Sequence, residues 1–166
     1  MARAFIALGS NLQEPLKQVS TALDEIDSIE NTRLIRHSSL YVTKPLGYEN
    51  QPDFINAVAE VETRLDPAEL LHGLFAIENS HGRERPFPNA PRVLDLDLLL
   101  YDDITMRSDE LTLPHPRMHE RGFVMLPLAE IAPDLKVGGL GTASGIAERC
   151  AAQGIEKLQN SQHESH

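Results

Sequence analysis

Two aspartates separated by one residue lie in a leucine-rich segment, residues 90–100. Successive side chains of a strand point to opposite faces, so Asp95 and Asp97 share one face and the intervening leucines share the other. The two Cα atoms of such a pair lie about 6.5 to 7 Å apart. Because like charges at this spacing repel, a cation between them is favoured. The pattern suits a hard divalent metal such as Mg²⁺, which is bound by one or two carboxylates while substrate phosphates and waters complete the octahedron.

An arginine, Arg92, precedes the aspartates and suits a bidentate contact to phosphate. The competing interpretation is structural, because acidic residues also mark the solvated face of an edge strand, where their charge prevents unwanted pairing. The leucines weigh against it. A strand this apolar is buried on at least one face, and an acid pair near a core is costly unless it is neutralised. We therefore favour a metal and phosphate site.

Length, charge and cysteine content narrow the class of protein. The 166 residues are long enough for one globular domain, so we expect a single domain over residues 1–166, with residues 159–166 as a frayed tail. A net charge of −10 makes nucleic acid an unexpected partner. The lone cysteine, Cys150, excludes an intramolecular disulfide. With no apolar run long enough for a signal peptide or a membrane span, we expect a cytoplasmic protein without a membrane partner.

The hydrophobic pattern predicts six elements before the C-terminal part of the chain. They are a strand over 4–8, a helix from Pro15, strands over 32–42 and 54–63, a helix from Asp66 to Gly82, and the aspartate strand. In the first helix the predicted apolar stripe is Leu16, Val19, Leu23 and Ile26. At the start of the second helix, Asp66 and Glu69 predict a capping box. After the aspartate strand, Asp102-Asp103 is expected to turn a small hairpin towards Leu111-Thr112-Leu113. The order of the six elements is that of an α+β, ferredoxin-like βαββαβ sandwich with an antiparallel sheet, followed here by a C-terminal extension.

Several separate blocks match one family in order and spacing. They are Ile6-Ala7-Leu8-Gly9-Ser10-Asn11-Leu12, Pro45-Leu46-Gly47, Gln51-Pro52-Asp53-Phe54-Ile55-Asn56-Ala57, Glu78, Gly82-Arg83, Ala90-Pro91-Arg92 through Asp97, Pro114-His115 and Arg121-Gly122-Phe123. In these blocks the chain resembles the hydroxymethyldihydropterin pyrophosphokinases of folate biosynthesis, over residues 5–135. The resemblance implies an enzyme that transfers pyrophosphate from ATP to the hydroxymethyl group of 6-hydroxymethyl-7,8-dihydropterin, releasing AMP.

The resemblance also implies roles for individual residues. Asp95 and Asp97 are expected to hold two Mg²⁺ ions on the triphosphate, and with Arg83 and Arg92 they form the expected catalytic set. The expected ATP-binding residues are Glu78, Arg83, Arg85, Arg92, Leu98 through its backbone, Thr112, His115 and Arg121. The expected pterin-binding residues are Thr43, Pro45, Leu46, Phe54, Asn56, Asp95 and Phe123. The sequence departs from the family pattern at Lys44, Phe75, Pro88, Asn89, Glu110 and Pro116, which bears on loop closure and ATP affinity.

Alternatives remain for the matched positions and for the function. Phe54 and Phe123 could belong to the core, Glu78 could be solvated, and Thr112 could be an ordinary strand residue. An enzyme with the same acid pair could also be a nucleotidyltransferase or a phosphodiesterase. A ferredoxin-like small-molecule sensor with a structural or regulatory metal is the non-enzymatic alternative. For the pyrophosphokinase, the expected partners are the small-molecule substrates ATP and 6-hydroxymethyl-7,8-dihydropterin, and we expect a monomer.

Overall fold

The computed structural model describes residues 1–11, 14–43, 53–82 and 93–158. Its strands and helices, in chain order, are β1 (Ala2–Ser10), α1 (Pro15–Asp27), β2 (Thr32–His37), β3 (Tyr41–Thr43), β4 (Phe54–Thr63), α2 (Pro67–Gly82), β5 (Asp95–Tyr101), β6 (Met106–Arg107), β7 (Thr112–Leu113), α3 (Gly122–Ile131), α4 (Ala143–Arg149) and β8 (Ile155–Lys157). Short 3₁₀ turns cover Met118–Glu120 and Ala151–Gln153. None of the helices described here is long and apolar enough to cross a membrane.

The main sheet is antiparallel and runs in the order β5-β1-β4-β3-β8, with β2 also paired to β4. Its elements follow the predicted ferredoxin-like order, but the predicted strand over 32–42 is broken into β2 and β3. Ser38 explains the break, because its hydroxyl accepts a hydrogen bond from the backbone N–H of Val58 at 3.0 Å. A side chain thereby takes the place of a backbone carbonyl in the ladder.

Hydrophobic side chains cover both faces of the sheet. On one face, Ile6 and Leu8 of β1 pack with Leu74 of α2 and Ile26 of α1 in the larger core. On the other face, the alternating residues of β1 pack against α3 and α4 in a second core, which includes Phe5. The C-terminal extension therefore supplies a helical layer that the βαββαβ order alone does not predict.

Local signals at the helix starts are largely confirmed. Asp66 and Glu69 form the predicted capping box, in which each side chain accepts a hydrogen bond from the other residue's backbone N–H, at 2.8 and 2.9 Å. The apolar stripe of α1 is confirmed from Val19 onward, but Leu16 is 46% exposed, so the stripe begins one turn later than predicted. The hairpin expected from Asp102-Asp103 towards Leu111-Thr112-Leu113 differs in its pairing, because Thr112–Leu113 (β7) pairs with Met106–Arg107 (β6) in a separate two-stranded sheet.

One carboxylate joins the second helical layer to the edge of the sheet. Glu130, near the end of α3, accepts hydrogen bonds from the Ser39 backbone and hydroxyl at 3.0 and 2.8 Å, and from the Tyr41 hydroxyl at 2.8 Å. Its carboxylate also lies 4.0 Å from Lys157 Nζ of β8. Burial alone would raise the pKa of Glu130, but these donors and the lysine charge outweigh it, so the pKa is lowered. The ionised form of Glu130 therefore stabilises the contact between α3 and β3.

We expect Glu130→Gln to lower the free energy of unfolding by about 1 kcal/mol near neutral pH, because the amide accepts these hydrogen bonds less well than a carboxylate. A carboxyl with a depressed folded-state pKa stabilises above its unfolded pKa of 4.5, and that contribution is lost as pH falls through the folded pKa. The difference between wild type and variant should therefore shrink below pH 4.5. Urea unfolding of both proteins at several pH values measures this difference in the free energy of unfolding.

The matched control is Glu148→Gln, at an exposed carboxylate of α4. Its effect on stability should be small at every pH. The free energies of unfolding of wild type and Glu130→Gln could instead differ by a constant amount across the acid range. That result would contradict the role assigned to the ionised carboxylate.

Candidate functional site

A cavity of about 920 Å³ opens at one end of the sheet. There the last residues of β1 and β3 meet the first residues of β4 and β5, and the N-terminus of α3 forms a further wall. The lining residues are Ala7, Leu8, Gly9, Thr43, Phe54, Asn56, Asp95, Asp97, Arg121, Phe123, Val124, Gln153, Gly154 and Ile155. A volume of this size accommodates a small-molecule ligand.

The aspartate pair borders this cavity from the edge strand β5. Asp95 pairs with Gly9 and Asp97 with Ala7 in the β1–β5 ladder, while Leu96 and Leu98 are buried in the larger core. The predicted sharing of one face by the two aspartates is therefore confirmed. Asp95 is exposed and Asp97 is half-buried. The strand is at the edge of the sheet, as the structural alternative assumes, but its acidic face is a wall of the cavity.

Two side chains fix the start of β5. The Glu78 carboxylate of α2 accepts a hydrogen bond from the Leu96 backbone N–H at 2.7 Å, on the side of β5 that faces away from β1. The Ser10 hydroxyl at the end of β1 donates to the Val93 carbonyl at 2.5 Å. These contacts hold the aspartates in place on a strand that has a neighbouring strand on one side alone in the main sheet. Glu78 is therefore not simply solvated.

Polar groups of β3 and β4 lie next to the aspartates. The Asn56 amide donates to the Thr43 hydroxyl at 2.9 Å, and Asn56 is 5% exposed. Gly9 lets Asn56 approach closely, since a Cβ at this position would lie 3.0 Å from Asn56 Oδ1. Phe54, which pairs with Thr43, is half-buried and lines the same cavity. Four of the predicted pterin-binding residues, including Phe123, are thus brought to one cavity with Asp95.

The residues before α3 complete the opposite wall. The Arg121 guanidinium carbon lies 5.7 Å from the centroid of the Phe123 ring, within the range of a cation–π contact. Both residues are half-buried and line the larger cavity. Arg121 is an expected ATP-binding residue; the structure places it beside Phe123, an expected pterin-binding residue, and near enough to His115 of the expected ATP site for its charge to lower the pKa of that histidine.

The other described ATP-site residues line a second cavity, of about 330 Å³. Glu78, Leu98, Thr112 and His115 all contribute to it, and Asp97 borders both cavities. Outward-facing backbone groups alternate along an edge strand, so Leu98 presents its backbone on the same side as Leu96. Three positions that depart from the family pattern, Phe75, Glu110 and Pro116, line this cavity as well.

The surroundings of His115 favour its neutral ring. Burial lowers its pKa, as do the charges of Arg121 and Arg117, and the Asp97 carboxylate opposes them in part. The Arg117 backbone N–H lies 3.2 Å from His115 Nδ1, which therefore accepts. The ring proton is accordingly assigned to Nε2, which leaves that nitrogen as a hydrogen-bond donor.

The described residues form no group of three or more His, Cys, Asp or Glu side chains that could enclose a metal. The aspartate pair still fits Mg²⁺, because this ion keeps several waters and is bound through one or two carboxylates together with substrate phosphates. The hard oxygen ligands and the open cavity beside them agree with that mode. The pair does not fit a structural zinc site, which needs four protein ligands.

Five predicted site residues lie outside the described residues, namely Arg83, Arg85, Arg92, Pro45 and Leu46. The expected tail, residues 159–166, also lies outside them.

The sequence analysis missed one part of the cavity wall. Gln153, Gly154 and Ile155 line the larger cavity, and β8 extends the sheet by pairing Ile155 with Thr43. A strand of three residues with one apolar side chain has no periodicity to detect. The segment also lies beyond the blocks that carry the family resemblance.

The comparisons with known proteins agree with the resemblance. The model of the 7,8-dihydro-6-hydroxymethylpterin-pyrophosphokinase (HPPK) family matches residues 5–133. The chain is 50% identical over 158 residues to 2-amino-4-hydroxy-6-hydroxymethyldihydropteridine pyrophosphokinase of Haemophilus influenzae, covering 95% of this chain and 99% of that protein. It is 43% identical over 156 residues to the protein of the same name from Pseudomonas aeruginosa, covering 94% and 96%.

Solved structures support the fold. The chain resembles wild-type Plasmodium falciparum HPPK-DHPS with pteroate at a TM-score of 0.73 and 14% identity, over 98% of this chain and 44% of that chain. At such low identity the likeness concerns the fold alone, and the chain spans less than half the length of that protein. The predicted ferredoxin-like fold and the predicted family are both confirmed. The chain belongs to the 7,8-dihydro-6-hydroxymethylpterin-pyrophosphokinase family.

Proposed function

We propose that this chain transfers pyrophosphate from ATP to the hydroxymethyl group of 6-hydroxymethyl-7,8-dihydropterin, giving AMP and the pterin diphosphate in folate biosynthesis. Membership of a family of ATP-dependent pyrophosphokinases supports the reaction class. The observation that carries the proposal is the position of Asp97 on the border of both cavities. The larger cavity has the aromatic rings of Phe54 and Phe123 and the Asn56 amide, and the smaller cavity has the residues matched to the family's ATP site. Under this proposal the two substrates meet at Asp95 and Asp97.

The larger cavity suits the pterin. Phe54 and Phe123 are half-buried aromatic rings that can stack against a flat heterocycle. Asn56 and Thr43 provide amide and hydroxyl groups for the hydrogen-bonding edge of the ring. Pro45 and Leu46, from the segment that follows β3, complete the proposed pterin contacts.

The smaller cavity suits the nucleotide. Glu78 of α2, Leu98 of β5, Thr112 of β7 and His115 all line this cavity. With Nδ1 accepting from the Arg117 backbone, His115 has Nε2–H available to donate to a phosphate oxygen. Arg121 lines the larger cavity together with Asp97, and its proposed role is to contact phosphate oxygens that extend toward the pterin.

The reaction forms a bond from the hydroxymethyl oxygen to the β-phosphorus. It breaks the bond from the β-phosphorus to the oxygen that bridges the α- and β-phosphates, and that oxygen leaves with AMP. Such a transfer depends on in-line positioning and on charge neutralisation, and it needs no covalent intermediate with the protein. Asp95 and Asp97 would hold two Mg²⁺ ions, which when bound would neutralise charge on the phosphate oxygens. Arg83, Arg85 and Arg92 are proposed to contact the same phosphates as bidentate donors.

We further propose that residues 1–166 form one catalytic domain, which acts in the cytoplasm as a monomer. Its partners would be the two small-molecule substrates, with no nucleic acid and no membrane.

Product analysis tests the reaction directly. Purified protein incubated with ATP, Mg²⁺ and hydroxymethyldihydropterin should yield AMP and a pterin diphosphate in equal amounts, separated by anion-exchange chromatography. The reaction should stop when EDTA removes Mg²⁺. Formation of ADP would replace the proposal with a simple kinase, and binding without turnover would favour a sensor.

Asp97→Ala should lower kcat by about a hundredfold or more, because it removes a phosphate-neutralising metal ligand from the border of the two cavities. The far-ultraviolet circular dichroism spectrum and the melting temperature should stay close to those of wild type. Asp103→Ala is the matched control, since it removes an exposed carboxylate from the turn after β5. Equal turnover in Asp97→Ala and Asp103→Ala would remove the metal assignment.

Two aromatic substitutions test which substrate each cavity binds. Phe123→Ala should raise the KM for the pterin roughly tenfold or more, because a stacked aromatic contributes about 1–3 kcal/mol to base binding. The KM for ATP should change less. Phe75→Ala, in the smaller cavity, should leave the pterin KM unchanged. Steady-state kinetics with each substrate varied in turn gives both values, and the reverse pattern would exchange the assignments of the cavities.

A further inference from the structure

We propose that Gln153 is a positioning residue that holds the turn before α3 in place for pterin binding. The inference rests on the proposed function, because Arg121 and Phe123, on either side of Gly122, line the proposed pterin cavity. Gln153 lies in the C-terminal extension, beyond residues 5–133 that match the family model.

The amide of Gln153 bonds to the backbone on both sides of Arg121. Its Oε1 accepts from the Gly122 N–H at 2.9 Å, and its Nε2 donates to the Glu120 carbonyl at 3.2 Å. A backbone N–H only donates and a carbonyl only accepts, so one orientation of the amide satisfies both contacts. The arrangement therefore fixes the backbone at two points within three residues.

The N-terminus of α3 needs such a partner. The first N–H groups of a helix have no acceptor inside the helix, and the residue before α3, Arg121, makes no side-chain cap hydrogen bond. Gln153 supplies the acceptor for Gly122 from a segment 31 residues away. The cap thus ties the direction of the Phe123 side chain to the C-terminal segment.

Packing around Gly122 shows how closely the two segments approach. A Cβ on Gly122 would lie 2.5 Å from Ile155 Cδ1, 3.0 Å from Gln153 Oε1 and 3.2 Å from the Cys150 carbonyl. The absence of a side chain at Gly122 is what allows Gln153 to reach the backbone. Contact on this scale leaves the turn little freedom to shift.

The same segment also holds the other side of the cavity. β8 pairs with β3, and Ile155 lies opposite Thr43 in that ladder. Residues 153–155 therefore join the Thr43 side of the cavity to the Phe123 side. Loss of the Gln153 amide would release the Phe123 side of the cavity and leave the β3–β8 pairing on the Thr43 side in place.

Direct binding of the pterin to the full-length protein, in the presence of Mg²⁺ and a non-hydrolysable ATP analogue, tests the inference. We expect Gln153→Ala to raise the Kd of the pterin about three- to tenfold, the effect of losing one or two hydrogen bonds. The pterin KM should rise in parallel while kcat stays within about twofold. The Gly122 amide should exchange its hydrogen faster in the variant, as NMR measures.

Thr142→Ala is the matched control, because the Thr142 hydroxyl caps α4 by accepting from the Gly145 N–H at 3.2 Å. It removes a comparable helix cap away from the cavity, so it should lower the melting temperature to a similar extent and leave the pterin Kd unchanged. Should Gln153→Ala fail to fold, Gln153→Glu provides the same test, since a glutamate cannot donate to the Glu120 carbonyl when ionised.

The outcomes are distinct. An unchanged pterin Kd in the Gln153 variant, or an equal rise in Thr142→Ala, overturns the positioning role while wild-type turnover leaves the proposed function intact. If wild type neither binds the pterin nor produces AMP, the proposed function fails and the positioning role fails with it.

Discussion

The pairing of β1 with both β4 and β5 determines where the two aspartates and Asn56 lie. Gly9 is opposite Asn56 in one ladder and opposite Asp95 in the other, so three strands place these residues in one row. Cross-strand partners point to the same face. The aspartate and the amide therefore face the same cavity, and the glycine between them leaves its floor open. A slip of one residue in the β1–β5 ladder would turn both aspartates into the core.

The sheet face that carries Asn56, Gly9 and Asp95 lines the cavity at one end and is covered by the second core at the other. Toward the other end of the sheet, Phe5 and Val58 pack against Met125 and Leu128 of α3 in the second core. At the end that carries Gly9 the helix begins, and the sheet faces the cavity. Because the core half anchors α3, Phe123 is held at the cavity and stays half-buried there. Rigid support beneath an open site is the general requirement for precise ligand placement.

The parts of the site that depend on local chemistry were predictable from the sequence. The shared face of Asp95 and Asp97 follows from the two-residue period of a strand, and the Asp66–Glu69 capping box follows from helix-start chemistry. The break at Ser38 and the contacts of Gln153 depend on residues distant in the chain. A hydrogen bond that spans 31 residues has no signal in local periodicity, so these features required the folded structure.

Charge imposes a further constraint on how ATP can be bound. The chain carries a net charge of −10, so the field of the whole protein repels a polyanion at long range. At physiological ionic strength this repulsion is screened beyond about 8 Å, whereas contacts inside a cavity are screened much less. Attraction must therefore come from groups at short range. Among the described residues, Arg121 is a cation in the larger cavity, and the two aspartates there are the proposed sites for further cations. In the proposed mechanism, the carboxylates that repel free phosphate are thus the same groups that would recruit the metal ions needed to accept it.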